Sequence, residues 1–294
     1  MNASVARWTR RAWKEYADLR RRATRAGSAR PALDGLRASR SDVEAWNRET
    51  RRRHDEYRRR CPVTPGDVAV VCVSQRPERI ADVVDNVVRQ SHRVSELVYV
   101  SNLDDDAPLA AAESTFARLD GVVDRVTVLR RDEAVSLGHC LNAALERAES
   151  RFVAKFDDDD HYGGEYLADA SRAHGYAGAG VVGKHSTYVH LEHDDETVLR
   201  FPAHEFLYTS TLAGPSLVID RDRAGSVRFR DVSLGEDRAF IADCNRRGIS
   251  TFSADRFNLA IGRGSQNTWQ VDDDWYRVGT IPVGSGRRLD EIDL

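Results

Sequence analysis

The 294 residues are 41% apolar and 31% charged, enough for one large domain, or one domain with an extension, and not the composition of a disordered polyelectrolyte. The net charge of −3 hides an asymmetry: residues 1–60 hold 17 Arg and one Lys against eight acidic residues, a net of +10, so the remainder carries −13. Cys61, Cys72, Cys140 and Cys244 are widely spaced with no C-x-x-C pair, which argues against a zinc ribbon or dense disulfide framework, and no leader or apolar run near the ~20 residues of a membrane span is present, so a cytoplasmic, non-spanning protein is expected.

In chain order, Trp8, Ala12, Trp13, Tyr16, Leu19 and Ala23 recur at spacings of three and four and predict a helix over 4–26, closed by Gly27 and Pro31. A second helix is expected from Ser41 to Arg59, opened by the capping-box pattern Ser41-x-x-Glu44. Pro62, Pro65 and Gly66 mark a boundary. The division expected is a basic helical extension over 1–66, a catalytic body over 67–270 and a tail over 271–294. The body opens with the continuous apolar run Asp67–Val73, a strand of the type buried in a parallel sheet. A helix at 78–90, a strand at Leu97–Val100, a helix at 109–119 and a strand at Val126–Leu129 follow. A helix on Leu141, Ala144 and Leu145 then leads into a strand at 151–156. This alternation predicts an α/β fold with a mostly parallel, nucleotide-type sheet. Beyond it the pattern loosens into strands near 181–184, 185–191, 198–201 and 216–219, and a helix from Glu236 to Arg247.

The strand at 151–156 ends in Asp157-Asp158-Asp159-Asp160. Four adjacent carboxylates repel and raise one another's pKa, and a bound cation offsets that repulsion. An Asp cluster at the end of an α/β strand is therefore a candidate site for Mg²⁺ or Mn²⁺, which in such places carries substrate phosphates. A solvated acidic turn is the alternative; the preceding Phe-Val-Ala-Lys-Phe and the following His-Tyr argue against it. Ser74, Arg76 and Glu78 follow the first strand, where nucleotides bind in such sheets.

Five motifs in order carry a resemblance. Val70-Val71-Cys72-Val73-Ser74-Gln75-Arg76-Pro77-Glu78 resembles the first strand and loop of family 2 glycosyltransferases, which have the GT-A fold. Ser136-Leu137-Gly138-His139-Cys140-Leu141-Asn142 looks like the family's helix before its DXD motif, and Asp157-x-Asp159-Asp160 matches that motif. Leu212-Ala213-Gly214-Pro215-Ser216 is similar to the acceptor-side loop, and Gly235-Glu236-Asp237 to the xED motif. The resemblance covers about 67–262. It implies an inverting transfer of a sugar from a nucleoside diphosphate, uridine by family default, to a glycan or lipid-linked acceptor of the cell envelope or capsule. It also implies a divalent metal held by Asp159, with Asp157 and Asp160 nearby. Asp237 is the implied general base, with Glu236 beside it. Acidic residues in a first helical turn are, on their own, equally explained by the helix dipole.

The resemblance further suggests a base- or ribose-holding carboxylate at Asp104-Asp105-Asp106, with a solvated loop as the equal alternative. Asn142 is a candidate donor contact, although a polar helix residue is more often just exposed. Lys184-His185 could reach diphosphate or acceptor, His185 being kept out of the catalytic set. Arg263, Asn267, Thr268 and Trp269 resemble a lid segment, or else form an amphipathic tail. One departure stands out: many GT-A enzymes complete the metal shell with a late His, and none occurs after His204.

Three partners suit the basic arm: a second copy or the catalytic body, the anionic inner face of a membrane, or nucleic acid. Trp8, Trp13 and Tyr16 on one face favour burial against protein, and no base-reading motif is present, so nucleic acid ranks last. Two rival functions remain at this level. A sugar-1-phosphate nucleotidyltransferase would need a Gly-rich loop where Ser74-Gln75-Arg76-Pro77 stands. A non-catalytic nucleotide-sugar- or glycan-binding protein on a degenerate GT-A scaffold would not need to keep Asp237.

Overall fold

The computed structural model describes residues 40–64, 66–105, 109, 112–202, 204–264, 276, 277 and 280–294. The expected helix over 4–26 with its aromatic face, Asp106, and Asn267, Thr268 and Trp269 lie outside the described residues.

Helix α1 (Arg40–Arg60) precedes four parallel strands: β1 (Val68–Ser74), β2 (Val94–Asn102), β3 (Arg125–Arg131) and β4 (Phe152–Lys155). Their crossovers are α2 (Ile80–Val88), α3 (Glu113–Phe116) and α4 (Leu137–Arg147), and α2 is entered through a 3₁₀ turn at Pro77–Arg79. Past the Asp cluster come β5 (His161–Tyr162), α5 (Tyr166–Ala177), β6 (Val181–Gly183), β7 (Thr187–Leu191), β8 (Glu196–Arg200), β9 (Leu207–Tyr208) and β10 (Val218–Asp220). Then follow α6 (Arg221–Ala224), α7 (Glu236–Arg246), β11 (Thr251–Ser253), β12 (Leu259–Arg263), β13 (Thr280–Ser285) and α8 (Leu289–Ile292).

The main sheet has the order β3-β2-β1-β4-β10-β6-β11-β9, with β10 antiparallel to both of its neighbours. Period-2 alternation along the apolar strands covers both faces of this sheet. Val68, Val70 and Cys72, with Leu97, Tyr99, Ala154 and Phe156, pack against Ile80, Val83, Val84 and Val87 of α2 and Tyr166, Leu167 and Ala170 of α5. Ala69 and Val71, with Val98, Val100 and Val153, pack against Cys140, Leu141, Ala144 and Leu145 of α4 and Phe240, Ile241 and Cys244 of α7. The strand order reverses at β1, so the carboxyl ends of β1 and β4 open the crevice where such sheets take ligands. A second sheet, β13-β8-β7-β12-β5, stands beside the Asp cluster through β5 and β12.

Within the stretch expected as a tail over 271–294, the described residues 280–294 pack on the body. β13 pairs with β8, and Ile292 of α8 is fully buried against Tyr188, Leu199, Phe257 and Ile281, so residues 280–294 complete the second sheet rather than trail from it. Helix α1 is locked to the body as well. Arg58 bonds Asp169 at 2.7 Å and the Leu294 carbonyl at 3.1 Å, and the buried Arg256 bonds Asn47 at 2.8 Å and Glu205 at 3.2 Å. His54 is buried with Nε2 3.3 Å from Asp169 and 3.5 Å from Asp255, both ion-pair distances. Lys184 closes the group at 2.9 Å from Asp255.

Burial alone would push the His54 imidazole down, but Asp255 and Asp169 override it and hold its pKa up at about 9. A histidine pKa raised in the folded state stabilises fully below its ordinary value of 6.5, and that contribution is lost as pH rises through 9. Urea unfolding should therefore show stability falling between pH 6.5 and 9 by on the order of 3 kcal/mol. In His54→Leu, less stable overall, that window should be flat.

Candidate active site

The sheet centre sets the site. Lys155, the last residue of β4, lies in register with Val71 of β1, and its amide donates to the Leu217 carbonyl at 2.9 Å. Phe156 continues the strand by donating to the Val71 carbonyl at 2.9 Å and stacks on Tyr162 with ring centroids 3.7 Å apart. The Asp157 amide donates to the Tyr162 hydroxyl, which itself donates to the Pro215 carbonyl, both at 2.9 Å. One phenol thus ties the Asp cluster to the loop at 212–216. Asn86 of α2 grips the far end of the cluster: its amide donates to the Asp160 carbonyl at 2.8 Å and accepts from the Tyr162 amide at 3.1 Å. The Gly262 amide of β12 donates to Asp160 Oδ1 at 2.8 Å.

Two basic side chains divide the carboxylates between them. Arg76 reaches Asp158 through Nε at 3.2 Å and through its terminal nitrogen, and Asp159 at 3.0 Å. Ser74 joins them: its hydroxyl donates to Asp158 and accepts from the Arg76 amide at 2.9 Å. Lys155 Nζ lies 2.6 Å from Asp157 Oδ1 and 3.2 Å from Asp237 Oδ2. Asp237 and Glu236 occupy the first turn of α7, entered through Gly235 at φ +81°. A Cβ on Gly214 would overlap Oδ2 of Asp237, so the 212–216 loop reaches that carboxylate only because glycine stands there.

The electrostatics follow from burial. Burial raises the Asp159 carboxyl, Arg76 opposes it, and Asp157 and Asp158 push the same way as burial. Asp160 is driven far up by burial, then by Asp159 and Asp157. Asp237 is raised by burial and by Asp157 but held down by Lys155, while Glu236 is pushed up to about 7 by burial and Asp237. For Lys155 burial acts downward, and Asp157 and Asp237 override it, so the ammonium stays charged.

A hard divalent cation fits this group. Four carboxylates (Asp157, Asp158, Asp159 and Asp237) pair with the two bridging cations, and among the described residues Asp160 Oδ2 and Asp237 Oδ1 are buried without a hydrogen-bond partner. Among the described residues, the three metal-ligand-type side chains whose atoms converge are instead His54, Asp169 and Asp255. There, Arg58, Arg172 and Lys184 already set three positive charges against two carboxylates. That excess of positive charge argues against a divalent ion there.

The structure therefore brings Ser74, Arg76 and the Asp157–Asp160 cluster beside Asp237 through Lys155, with Glu236 in the same first turn of α7. Other expected contacts sit elsewhere. Asn142 spends its amide on the Phe229 backbone, donating at 2.8 Å and accepting at 2.9 Å, and so fixes the chain ahead of α7. The Lys184 ammonium is held by Asp255, while its carbonyl accepts from the Ala213 amide at 2.8 Å. Asp104 accepts from the Glu133 amide at 3.0 Å in an exposed loop, and Glu78 is exposed in the 3₁₀ turn. Lys155 and Asn86 escaped the sequence reading. A lysine two residues before a DXD-type motif, in a strand otherwise apolar, was the available signal for the first; for Asn86 there was none.

The sequence model described as glycosyltransferase like family 2 matches residues 65–213, half of the chain, ending before Glu236 and Asp237. The Bacillus subtilis protein TuaG, named as a teichuronic acid biosynthesis glycosyltransferase, is 22% identical over 211 residues, covering 65% of this chain and 78% of TuaG. Among solved structures, S. aureus TarS 1–349 in complex with UDP-GlcNAc superposes with a TM-score of 0.53 at 18% identity, over 72% of this chain and 64% of that one. The mannosyltransferase PcManGT of Pyrobaculum calidifontis, in complex with GDP-mannose and Mn²⁺, gives 0.55 at 15% identity, over 76% and 65%. This chain thus spans just under two thirds of the solved chains it resembles. With its β-α-β core, its Asp cluster and the match over half its length, the chain belongs to glycosyltransferase family 2 and has the GT-A fold.

Proposed function

We propose that this chain is an inverting, hexosyl-type glycosyltransferase. It would move a sugar from a nucleoside-diphosphate sugar, UDP-linked first, to a hydroxyl of a cell-envelope glycan or a lipid-linked acceptor. The observation behind this reading is the Lys155 ammonium, 2.6 Å from Asp157 and 3.2 Å from Asp237; the reading takes Asp157 as the donor-side and Asp237 as the acceptor-side carboxylate. UDP-GlcNAc and GDP-mannose in the two similar structures support a nucleotide-sugar donor, and the name of TuaG supports an envelope glycan.

In the transfer, the acceptor oxygen forms a bond to the anomeric carbon as the bond to the diphosphate oxygen breaks. The bonding pair leaves with the diphosphate, the hydroxyl proton passes to Asp237, and the configuration inverts. Lys155 favours the ionised Asp237 that can take this proton. Mn²⁺ or Mg²⁺ held at Asp159, flanked by Asp157 and Asp160, would supply Lewis-acid neutralisation of the leaving diphosphate. Ser74 and Arg76, at the end of β1, would face the nucleotide. No described helix is long and apolar enough to cross a membrane. We place the reaction at the cytoplasmic side of the envelope, with residues 1–60 as the contact for a second copy or for anionic lipid.

A thermal-shift screen of nucleotide sugars with and without Mn²⁺ tests the class. A true donor at 100 times its Kd adds about 2.7 kcal/mol of stability, and slow nucleotide release with water as acceptor separates an enzyme from a binding protein. Asp159→Asn should weaken Mn²⁺-dependent nucleotide binding and raise the melting temperature in the absence of metal by relieving carboxylate repulsion. Unchanged metal-dependent affinity would remove Asp159 from the metal site. Asp237→Asn should bind donor normally and lose ~10²–10⁴-fold in turnover; near-normal turnover would return Asp237 to a helix-terminal charge.

Glu236 gives a pH test. Its carboxyl pKa is raised from 4.5 to about 7, so the folded state holds its proton longer than the unfolded chain and loses stability as pH rises across that interval. Glu236→Gln should melt above wild type at pH 8, with the difference gone below pH 4.5. Equal differences at both pH values would contradict it.

A further inference from the structure

Lys155 is 2% exposed, at the centre of the main sheet, with a main-chain position fixed by β1 on one side and β10 on the other. A lysine is almost never fully buried unless something holds its charge. Here two carboxylates do, and they come from segments 80 residues apart in the chain. Asp157 belongs to the Asp cluster that follows β4, and Asp237 to the first turn of a helix on the far side of the acceptor loop.

Asp237 Oδ2 is confined between the Lys155 ammonium, 3.2 Å away, and the backbone of Gly214, where no side chain would fit. Among the described residues, its other oxygen, Oδ1, is buried with no hydrogen-bond partner. Remove the ammonium and the carboxylate loses its ion pair, while Gly214 still blocks one side. Misplacing a catalytic group by about 1 Å can cost ~10²-fold in rate.

We propose that Lys155 is a positioning residue: it acts through Asp237, holding that carboxylate in register with the donor-side cluster so that base and donor meet in one geometry. This rests on the reading of Asp237 as the general base, and the test separates the two.

The test is a double-mutant cycle of Lys155→Met and Asp237→Asn. Turnover is read as nucleotide release from whichever of UDP-GlcNAc and GDP-mannose stabilises the protein, and binding of UDP or GDP with Mn²⁺ is read by calorimetry. Lys155→Met should lower kcat by ~10²-fold in the wild-type background and by less than about 3-fold in the Asp237→Asn background, because the group it positions is already gone. Nucleotide affinity should stay within about 3-fold throughout. Equal losses of kcat in both backgrounds, or a loss that falls on nucleotide affinity instead, would overturn the proposal. If Lys155→Met does not fold, Lys155→Arg keeps the charge but shifts its position, and the same cycle and the same thresholds decide. Failure of the base reading has a different signature: Asp237→Asn alone then turns over like wild type.

Discussion

The buried Lys155 ammonium is the interaction on which the rest of the crevice depends. Without it, Asp157 and Asp237 would be two low-dielectric carboxylates facing each other with their repulsion unopposed. With it, the Asp cluster after β4 and the first turn of α7 are held at opposite ends of one ion-paired bridge. Arg76 does the corresponding work for Asp158 and Asp159 at the end of β1. Every carboxylate the two cations pair with comes from the Asp cluster or from α7, so two positive charges face four negative ones.

The sheet explains why this arrangement is rigid. β4 is bracketed by β1 and β10, and β10 runs antiparallel, so the strand bearing the cluster cannot shift without breaking two ladders. Tyr162 and Asn86 add side-chain ties from the second sheet and from α2. The loop at 212–216 is drawn into the same network by the Pro215 carbonyl and by the close approach of Gly214 to Asp237. The Asp cluster and the first turn of α7 therefore share side-chain and loop contacts rather than merely facing each other.

Much of this was legible in the sequence. The alternation from Val68 to Lys155 carries a strong period, and the four strands and the α2 and α4 helices fall where the apolar spacing puts them. The four adjacent charges of the Asp cluster stand out in the sequence, and three of them are paired with Arg76 and Lys155 in the fold. What was not legible depends on distant partners. Helix α5, with the sequence Tyr-Leu-Ala-Asp-Ala-Ser-Arg-Ala-His-Gly-Tyr-Ala, buries Asp169 and His174 alongside its apolar residues, so its helical face is masked by polar letters satisfied only in the fold. Lys184 and Asn142 carry the right chemistry for a donor site, but Asp255 and the Phe229 backbone, 71 and 87 residues away, claim them first. β13 looked like tail because its partner β8 lies some 80 residues earlier.

The junction of α1, Asp169, Asp255 and the Leu294 carbonyl has a consequence for how the molecule is made. The parallel half of the sheet needs only residues up to about 156 and can assemble as the chain emerges. Helix α1 is synthesised before all of it, yet the groups that hold it, Asp169, Asp255, Arg256 and the Leu294 carbonyl, all follow the parallel half in the chain. Docking of the first described element therefore requires segments made after that half, and the bond to Leu294 ties the same helix to the segment that follows β13.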